Sequence, residues 1–419
     1  MKIIVSHVGK QHVNALLVAL FKQNVLTQFY TSIAANKILL PKSVGFKKGN
    51  DILSKIHKQR YAGIDDNKIT HFPLIAAVKK VVKSEYRSIK TSHKWFDRKV
   101  AQIIKKADFD IVIGYETSNL ETFKMAKLRN KITVLDFTAV HHEFQNPILE
   151  QAGVYSNPKE LEFVSEHKVR ALQFTDYIIA LSTFAEKTLI DYGFPADRIY
   201  KTYLGINQAV FKPKKSYNTE VFNPENSVRV GALELYFIGT LSLRKALPFL
   251  MKVLETLIQK GLKVRLTLIG PVDDFPLPDT NVPYLRYFPF LNHAELVEMH
   301  HQLDLFLFPS NIDSWAQVVI EAMACGSPIL VSENTGAKDA VAQGGGEVLP
   351  VGDLDAWVKA IEKFYYNRNL LKEVGEEAAL VAQQYTWDAY HQQVFEAMTD
   401  IFNREKNIKT FYGESKELV

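Results

Sequence analysis

The sequence predicts an α/β protein of two doubly wound domains, each a parallel sheet covered by helices on both faces. Three observations predict it. Short apolar runs rich in β-branched residues alternate with helix-periodic stretches over almost the whole chain. The strand-like runs are apolar throughout, as strands buried on both faces are, rather than alternating. The series breaks once, shortly after residue 210, and then begins afresh.

Taken in order, Lys2–Ser6 reads as a buried strand. Val13, Leu16, Leu17 and Leu20 follow at the i, i+3, i+4, i+7 spacing of a helix with one apolar stripe. Further strands are expected at Asp110–Gly114, Thr133–Leu135, Tyr177–Ala180, Leu233–Ile238, Leu266–Ile269, Asp304–Phe308 and Ile329–Ser332. Pro213, Asn223 and Pro224, set among charged residues, mark a linker. The expected domains are 1–210 and 228–385, with a helical tail over 386–419. Residues 35–70 are basic and poorly periodic, and read as a surface insertion or loop.

The chain of 419 residues is 47% hydrophobic and 23% charged, which excludes wholesale disorder. A single cysteine, Cys325, forms no internal disulfide and no multi-cysteine zinc site, so a reducing compartment is expected. No apolar run approaches the roughly 20 residues of a membrane span, and the apolar start is too short for a secretory signal. The expectation is a cytoplasmic protein. Residues 1–110 hold 21 Lys and Arg against 7 Asp and Glu, so the net charge of +5 hides a basic first quarter. That asymmetry suggests an anionic partner such as the inner face of a membrane, with a solvated basic face as the alternative. No nucleic-acid-binding pattern accompanies it.

The segment from Phe308 to Pro328 is the most informative. A strand ends at Phe308, a loop rich in helix-capping residues follows, and a helix begins near Ala316 and stops at Gly326. Ligands of open α/β sheets bind at such strand ends, and a helix start favours a phosphate there. Asp313 and Glu321 would lie about 12 Å apart along one helix axis, too far for a close acid–nucleophile pair. With Asp313 in the loop instead, the two could contact the ends of one extended ligand, a sugar–diphosphate–nucleoside. On spacing alone, surface or capping carboxylates remain the alternative.

This segment resembles the E-x7-E signature of retaining GT-B glycosyltransferases of family 4 (glycosyl transferases group 1), with Asp313 in the first glutamate position. The resemblance extends over most of the chain. Phe237–Pro248, containing Gly239, Arg244 and Lys245, is similar to the family's strand, glycine and R-K-G loop. Leu266–Gly270 resembles its next strand, and Ala180–Ala185, Tyr192–Ile199 and Leu204–Pro213 resemble the end of its first domain.

The resemblance implies a GT-B fold. An acceptor-side domain and a nucleotide-sugar domain would face an interdomain cleft, and the last helix would cross back to the first domain. It implies a retaining, metal-independent transfer of a hexose from a nucleotide-diphosphate sugar to a glycan or lipid-linked acceptor, as in polysaccharide or glycolipid biosynthesis. The donor is a substrate and no cofactor is expected. Glu321 would hold the donor ribose. Asp313 and the backbone at Trp315, Ala316, Gln317 and Val318 would lie near sugar and phosphate. Arg244 and Lys245 would clamp the diphosphate, whose negative charge grows as the glycosidic bond breaks. Gly239 would let the backbone approach the ligand. His141 is expected to face the donor sugar, with His142, Glu116 and Gly9 on the acceptor side. As catalytic residues the resemblance implies His141, Asp313 and Lys245.

The chain departs from the family pattern at Thr240, Ala246, Asp313, Ser314 and Ala316, the alanines and Ser314 standing where glycine is common. Two alternatives follow: a non-catalytic relative that binds nucleotide sugar or glycan and regulates a partner, and a GT-B epimerase. Asp108 with Asp110, and Asp353 with Asp355, match D-x-D, but they read as a strand start and a helix cap. Gly344–Gly346 reads as a turn. No G-x-G-x-x-G follows the first strand, and Ser182 lacks the esterase elbow.

Overall fold

The computed structural model describes residues 1–9, 12–37, 60–75, 77, 85–154, 158–219 and 231–414. Most of the basic 35–70 stretch, much of the linker and the last residues of the tail lie outside these. Two parallel sheets carry the fold. The first orders its strands β3-β2-β1-β4-β5-β6-β7, from β1 (Ile3–Ser6), β2 (Leu26–Thr31), β3 (Ile69–His71), β4 (Ile111–Tyr115), β5 (Ile132–Phe137), β6 (Tyr177–Ala180) and β7 (Ile199–Lys201). The second runs β10-β9-β8-β11-β12-β13, from β8 (Leu233–Ile238), β9 (Val264–Ile269), β10 (Leu285–Phe288), β11 (Leu305–Phe308), β12 (Ile329–Ser332) and β13 (Gly346–Leu349). Every strand pair is parallel.

Both orders reverse direction once, between β1 and β4 and between β8 and β11. Such a reversal opens a crevice at the carboxyl ends of the two flanking strands, where α/β sheets bind ligands. In the second sheet it points at the loops 239–246 and 309–316. The central strands β1, β5, β6, β11 and β12 are buried at every position. Their runs of Ile, Leu, Val and Phe therefore meet helices on both faces.

The last helix, Trp387–Glu414, packs on the first helix, Val13–Lys22, and so returns the chain to the first sheet. Arg404 pairs with Asp197 at 3.0 Å, Tyr177 donates to Glu405 at 2.8 Å, and the Tyr203 N–H donates to the Gln393 side chain at 2.9 Å. The sequence also yields its exceptions here. Strands β2, β3, β7, β10 and β13 were not anticipated. They carry polar residues such as Gln28, Tyr200 and Glu347, or are only three or four residues long.

Candidate functional site

The loop after β8 ends in Arg244 and Lys245 and leads into the helix Leu247–Gln259. The loop after β11 holds Asp313 and leads into the helix Gln317–Ala324. The sheet order sets these loops side by side, and their charged side chains meet. Lys245 and Asp313 form a short ion pair, both nearly removed from solvent. Arg244 reaches the same carboxylate at 3.3 Å and the Ile312 carbonyl at 3.1 Å. The other carboxylate oxygen accepts the Trp315 N–H at 3.1 Å.

Burial pushes the Asp313 carboxyl upward, but Lys245 and Arg244 outweigh it and hold the group at about 2. Burial pulls the Lys245 ammonium below its ordinary value, with Asp313 opposing. Its Nζ also lies 4.4 Å from the centre of the Phe308 ring. Two cations thus face one carboxylate. The cluster keeps a net positive charge next to two helix starts, whose first-turn N–H groups have no acceptor within their helices. Such a cluster can receive an anion.

Glu321 sits just past the middle of its eight-residue helix, mostly buried, and no described residue gives it a hydrogen bond. Burial pushes its carboxyl up to about 7. A carboxylate left without donors in an apolar wall suits a ligand that brings its own hydroxyls. Trp315 is buried between Tyr203 and Tyr385, at 5.3 and 5.5 Å between ring centres. Its backbone N–H is spent on Asp313, so of the four backbone positions expected at the ligand, Ala316, Gln317 and Val318 retain that possibility. The Gln317 side chain instead donates to the Gly205 carbonyl at 3.0 Å.

Ala316 and Ala246 both cap their helices in the left-handed conformation, at φ +63° and +56°. These are the positions where glycine is expected, and the backbone has kept the glycine shape without the glycine. Gly239 has φ +151° and begins the loop that carries Arg244 and Lys245.

The Asp313 loop is fastened to the first sheet's unit. The Ser314 hydroxyl donates to the Thr138 carbonyl at 2.6 Å, and the Ser182 hydroxyl donates to the Ser314 carbonyl at 2.7 Å. Gly336 allows this approach, since a Cβ there would stand 1.9 Å from the Ser314 oxygen and 2.6 Å from the Ser182 hydroxyl. The Thr183 N–H donates to Asp339 at 2.6 Å across the same seam. Ile312 completes it by packing into the core of the first unit with Val8, Phe137 and Val140.

On that opposite wall, His141 caps the helix His142–Gln151, accepting the Glu143 N–H at its Nδ1. Its ring stacks on Tyr192, 4.6 Å between centres and 9° from parallel. Burial, and then the neighbouring His142, push its pKa down to about 4, so the ring is neutral at pH 7. With Nδ1 accepting, the proton resides on Nε2, which can donate to a sugar hydroxyl. His142 lies 3.8 Å from Glu143, and Glu116 pairs with Lys168 at 3.6 Å. The Gly9 carbonyl accepts from Tyr61 at 3.2 Å; Lys10 and Gln11, the next residues of that loop, lie outside those described.

Sequence reading missed a further pair on this wall. His12 Nε2 contacts both oxygens of Asp136, at 3.0 and 2.9 Å, with His7 beside it and the Tyr115 ring tilted against His7, 4.3 Å between centres. Its partners are 124 residues apart, so no local spacing announces it. The D-x-D pairs do what their positions suggest. Asp110 accepts the Lys2 N–H at 2.8 Å, Asp108 pairs with the Lys2 side chain, and Asp353 caps the helix Leu354–Tyr366. Among the described residues no three His, Cys, Asp or Glu side chains gather as a metal site requires, and no helix is long and apolar enough to cross a membrane.

Residues 219–381 match the family model of glycosyl transferases group 1. The D-inositol 3-phosphate glycosyltransferase of Pseudarthrobacter chlorophenolicus is 27% identical over 256 residues, 57% of this chain and 59% of the relative. The capsular polysaccharide biosynthesis glycosyltransferase CapM of Staphylococcus aureus is 25% identical over 145 residues, 33% of this chain and 38% of the relative. The chain thus matches little more than half the length of these curated proteins, or less. Among solved structures, sucrose-phosphate synthase from Thermosynechococcus elongatus superposes with a TM-score of 0.67 at 14% identity, covering 96% of this chain and 100% of that one. Anabaena HepE in complex with UDP does so with 0.61 at 16% identity, over the same shares of the two chains. The fold is therefore GT-B throughout, and residues 219–381, which hold the Arg244, Lys245, Asp313 and Glu321 cluster, carry the pattern of glycosyl transferases group 1.

Proposed function

We propose that the protein is a retaining glycosyltransferase of family 4 type that moves a hexose from a nucleotide-diphosphate sugar to a hydroxyl of a glycan or lipid-linked acceptor. The observation that carries this reading is the Lys245–Asp313–Arg244 cluster, set between two helix starts, with Glu321 further along one of those helices and without a hydrogen-bond partner among the described residues. Glu321 receives the ribose hydroxyls, and the helix starts and the two cations receive the diphosphate. As the bond to the sugar breaks, charge builds on the leaving phosphate, and these fixed donors stabilise it without rearranging. Asp313 holds Lys245 in place and takes part in positioning the sugar. His141 donates from Nε2 to a sugar hydroxyl.

Asp313 is already bound by Lys245, Arg244 and the Trp315 N–H, which leaves it a weak nucleophile. That supports attack by the acceptor on the face the diphosphate leaves, the departing phosphate oxygen taking the acceptor proton. The seam through Ser314, Ser182 and Asp339 supports a closed state that excludes water from the donor. The names of the curated relatives support transfer to a polyol phosphate or to a capsular glycan. The excess of basic residues over 1–110 supports docking at an anionic membrane surface.

The test is a panel of nucleotides and nucleotide sugars read by thermal shift, followed by product analysis with the stabilising donor. One nucleotide should raise the melting temperature in the wild type and not in Glu321→Ala. Transfer or slow hydrolysis should follow with the anomeric configuration kept; inverted product, or no stabilisation by any nucleotide, overturns the reading.

A further inference from the structure

A second pocket, of about 400 Å³, lies wholly in the first sheet's unit, among the helices Lys94–Ile104, Leu120–Leu128 and Pro158–Leu172 and the π-turn Ile89–His93. None of its lining residues belongs to the Asp313 cluster or to the wall that faces it. Lys90, Lys94, Arg98 and Arg170 line it, together with Phe163 and His167.

Four cations and three carboxylates line the pocket, and two of those carboxylates are engaged elsewhere. Asp97 is buried and occupied: it accepts the N–H groups of Glu121 and Thr122, at 2.7 and 2.8 Å, and the Thr122 hydroxyl at 2.6 Å. Glu121 pairs with Lys124 at 3.0 Å. Glu166 is the other carboxylate on the lining. Lys94, Arg98 and Arg170 form no ion pair with any described residue, while Lys90 lies 4.8 Å from the centre of the Phe163 ring. Like-charged side chains gathered around one hollow repel each other, and an anion seated among them relieves that repulsion. His167 adds a second requirement. Its Nε2 is buried with no hydrogen-bond partner among the described residues. A ligand hydroxyl would meet it.

From this juxtaposition we propose that the pocket binds a phosphomonoester that also carries hydroxyl groups, Arg98, Arg170 and Lys94 holding the phosphate and His167 accepting from a hydroxyl. The proposal goes beyond the transferase reading and does not depend on it, since no donor-site residue takes part. Two sources share this chemistry, a free sugar phosphate and the phosphate headgroup of a lipid.

The full-length protein, its Arg98→Gln and Arg170→Gln variants, and Lys105→Gln as a control at the exposed position that follows the helix Lys94–Ile104, outside the pocket, decide it. Binding of glucose 6-phosphate and of inorganic phosphate is measured by titration calorimetry with saturating UDP present. Retention is measured on phosphatidylcholine vesicles with and without phosphatidic acid. All three substituted side chains are exposed, and circular dichroism checks that each variant is folded. The expected result is binding that UDP leaves intact, glucose 6-phosphate tighter than inorganic phosphate, and a loss of about tenfold or more in each arginine variant but not in Lys105→Gln. Retention on phosphatidic acid vesicles, lost in the same variants, in place of glucose 6-phosphate binding assigns the site to the lipid source. No binding of any probe, binding undiminished in both arginine variants, or displacement by UDP overturns the proposal.

Discussion

Lys245 and Asp313 stand 68 residues apart in sequence and form a buried ion pair between the loops that follow β8 and β11. The pair stitches the two loops of the crevice together. The Asp313 carboxyl sits at about 2 in the folded chain, below its ordinary 3.8, because Lys245 and Arg244 overcome the effect of burial. A depressed carboxyl contributes stability above its unfolded value and loses it as pH falls through the folded one. The window is therefore pH 4 down to 2, and the contribution is on the order of 2 kcal/mol. Acid unfolding of Asp313→Asn should lack this step. Lys245→Ala, which leaves Asp313 with Arg244 alone, should cut kcat by about two orders of magnitude while leaving the fold intact by circular dichroism.

Glu321 predicts the opposite sign. Its carboxyl is raised to about 7 from 4.5 by burial, so between those values the folded chain holds a proton that the unfolded chain has released. Stability should fall as pH rises across that window, by roughly 3 kcal/mol, and Glu321→Gln should flatten the slope. A ribose diol is best received by the ionised form. Nucleotide affinity, followed by calorimetry, should rise with pH through about 7 in the wild type and lose that rise in Glu321→Gln.

How far the sequence disclosed this site follows from where the information lies. Asp313 and Glu321 belong to one strand–loop–helix segment, so a local reading finds both. Arg244 and Lys245 come only from the resemblance of Phe237–Pro248 to the family's loop; without it they read as a solvated helix start. That Lys245 and Asp313 touch is a consequence of sheet order, β8 lying beside β11, which no spacing records. The His12–Asp136 pair and the Ser314–Thr138 contact escape for the same reason, each joining elements far apart in the chain. Strand β2 was missed on different grounds: Thr27 and Gln28, neither fully buried, interrupt its apolar run. The two alanines show the converse. Sequence noted the departure from glycine but gave no sign that the left-handed backbone would persist.

That persistence makes a simple prediction. A non-glycine residue in the left-handed region costs about 1–2 kcal/mol, and Ala246 and Ala316 each occupy it at a helix start. Glycine relieves the strain but adds freedom to the unfolded chain, so the net gain is smaller. Ala246→Gly and Ala316→Gly should each stabilise the protein by about 0.5–1 kcal/mol in urea unfolding. Gly239→Ala, at φ +151°, should destabilise it by more than either gains.

Ser314 supplies the last prediction. Its hydroxyl donates across the crevice to the Thr138 carbonyl at 2.6 Å, while its own carbonyl accepts from Ser182 at 2.7 Å. Asp313 precedes it directly, so the contact that draws the two units together also fixes the carboxylate that binds Lys245. Ser314→Ala removes one of these bonds, worth about 1 kcal/mol, and shifts the balance between closed and open states by roughly fivefold. The variant should show a larger radius of gyration in small-angle scattering. Its donor should be hydrolysed faster relative to transfer, because the open crevice admits water. Glycine at this position would lack the hydroxyl too, so Ser314→Gly should behave alike; a variant as closed and as tightly coupled as the wild type would place the clamp in Ser182 and Asp339 instead.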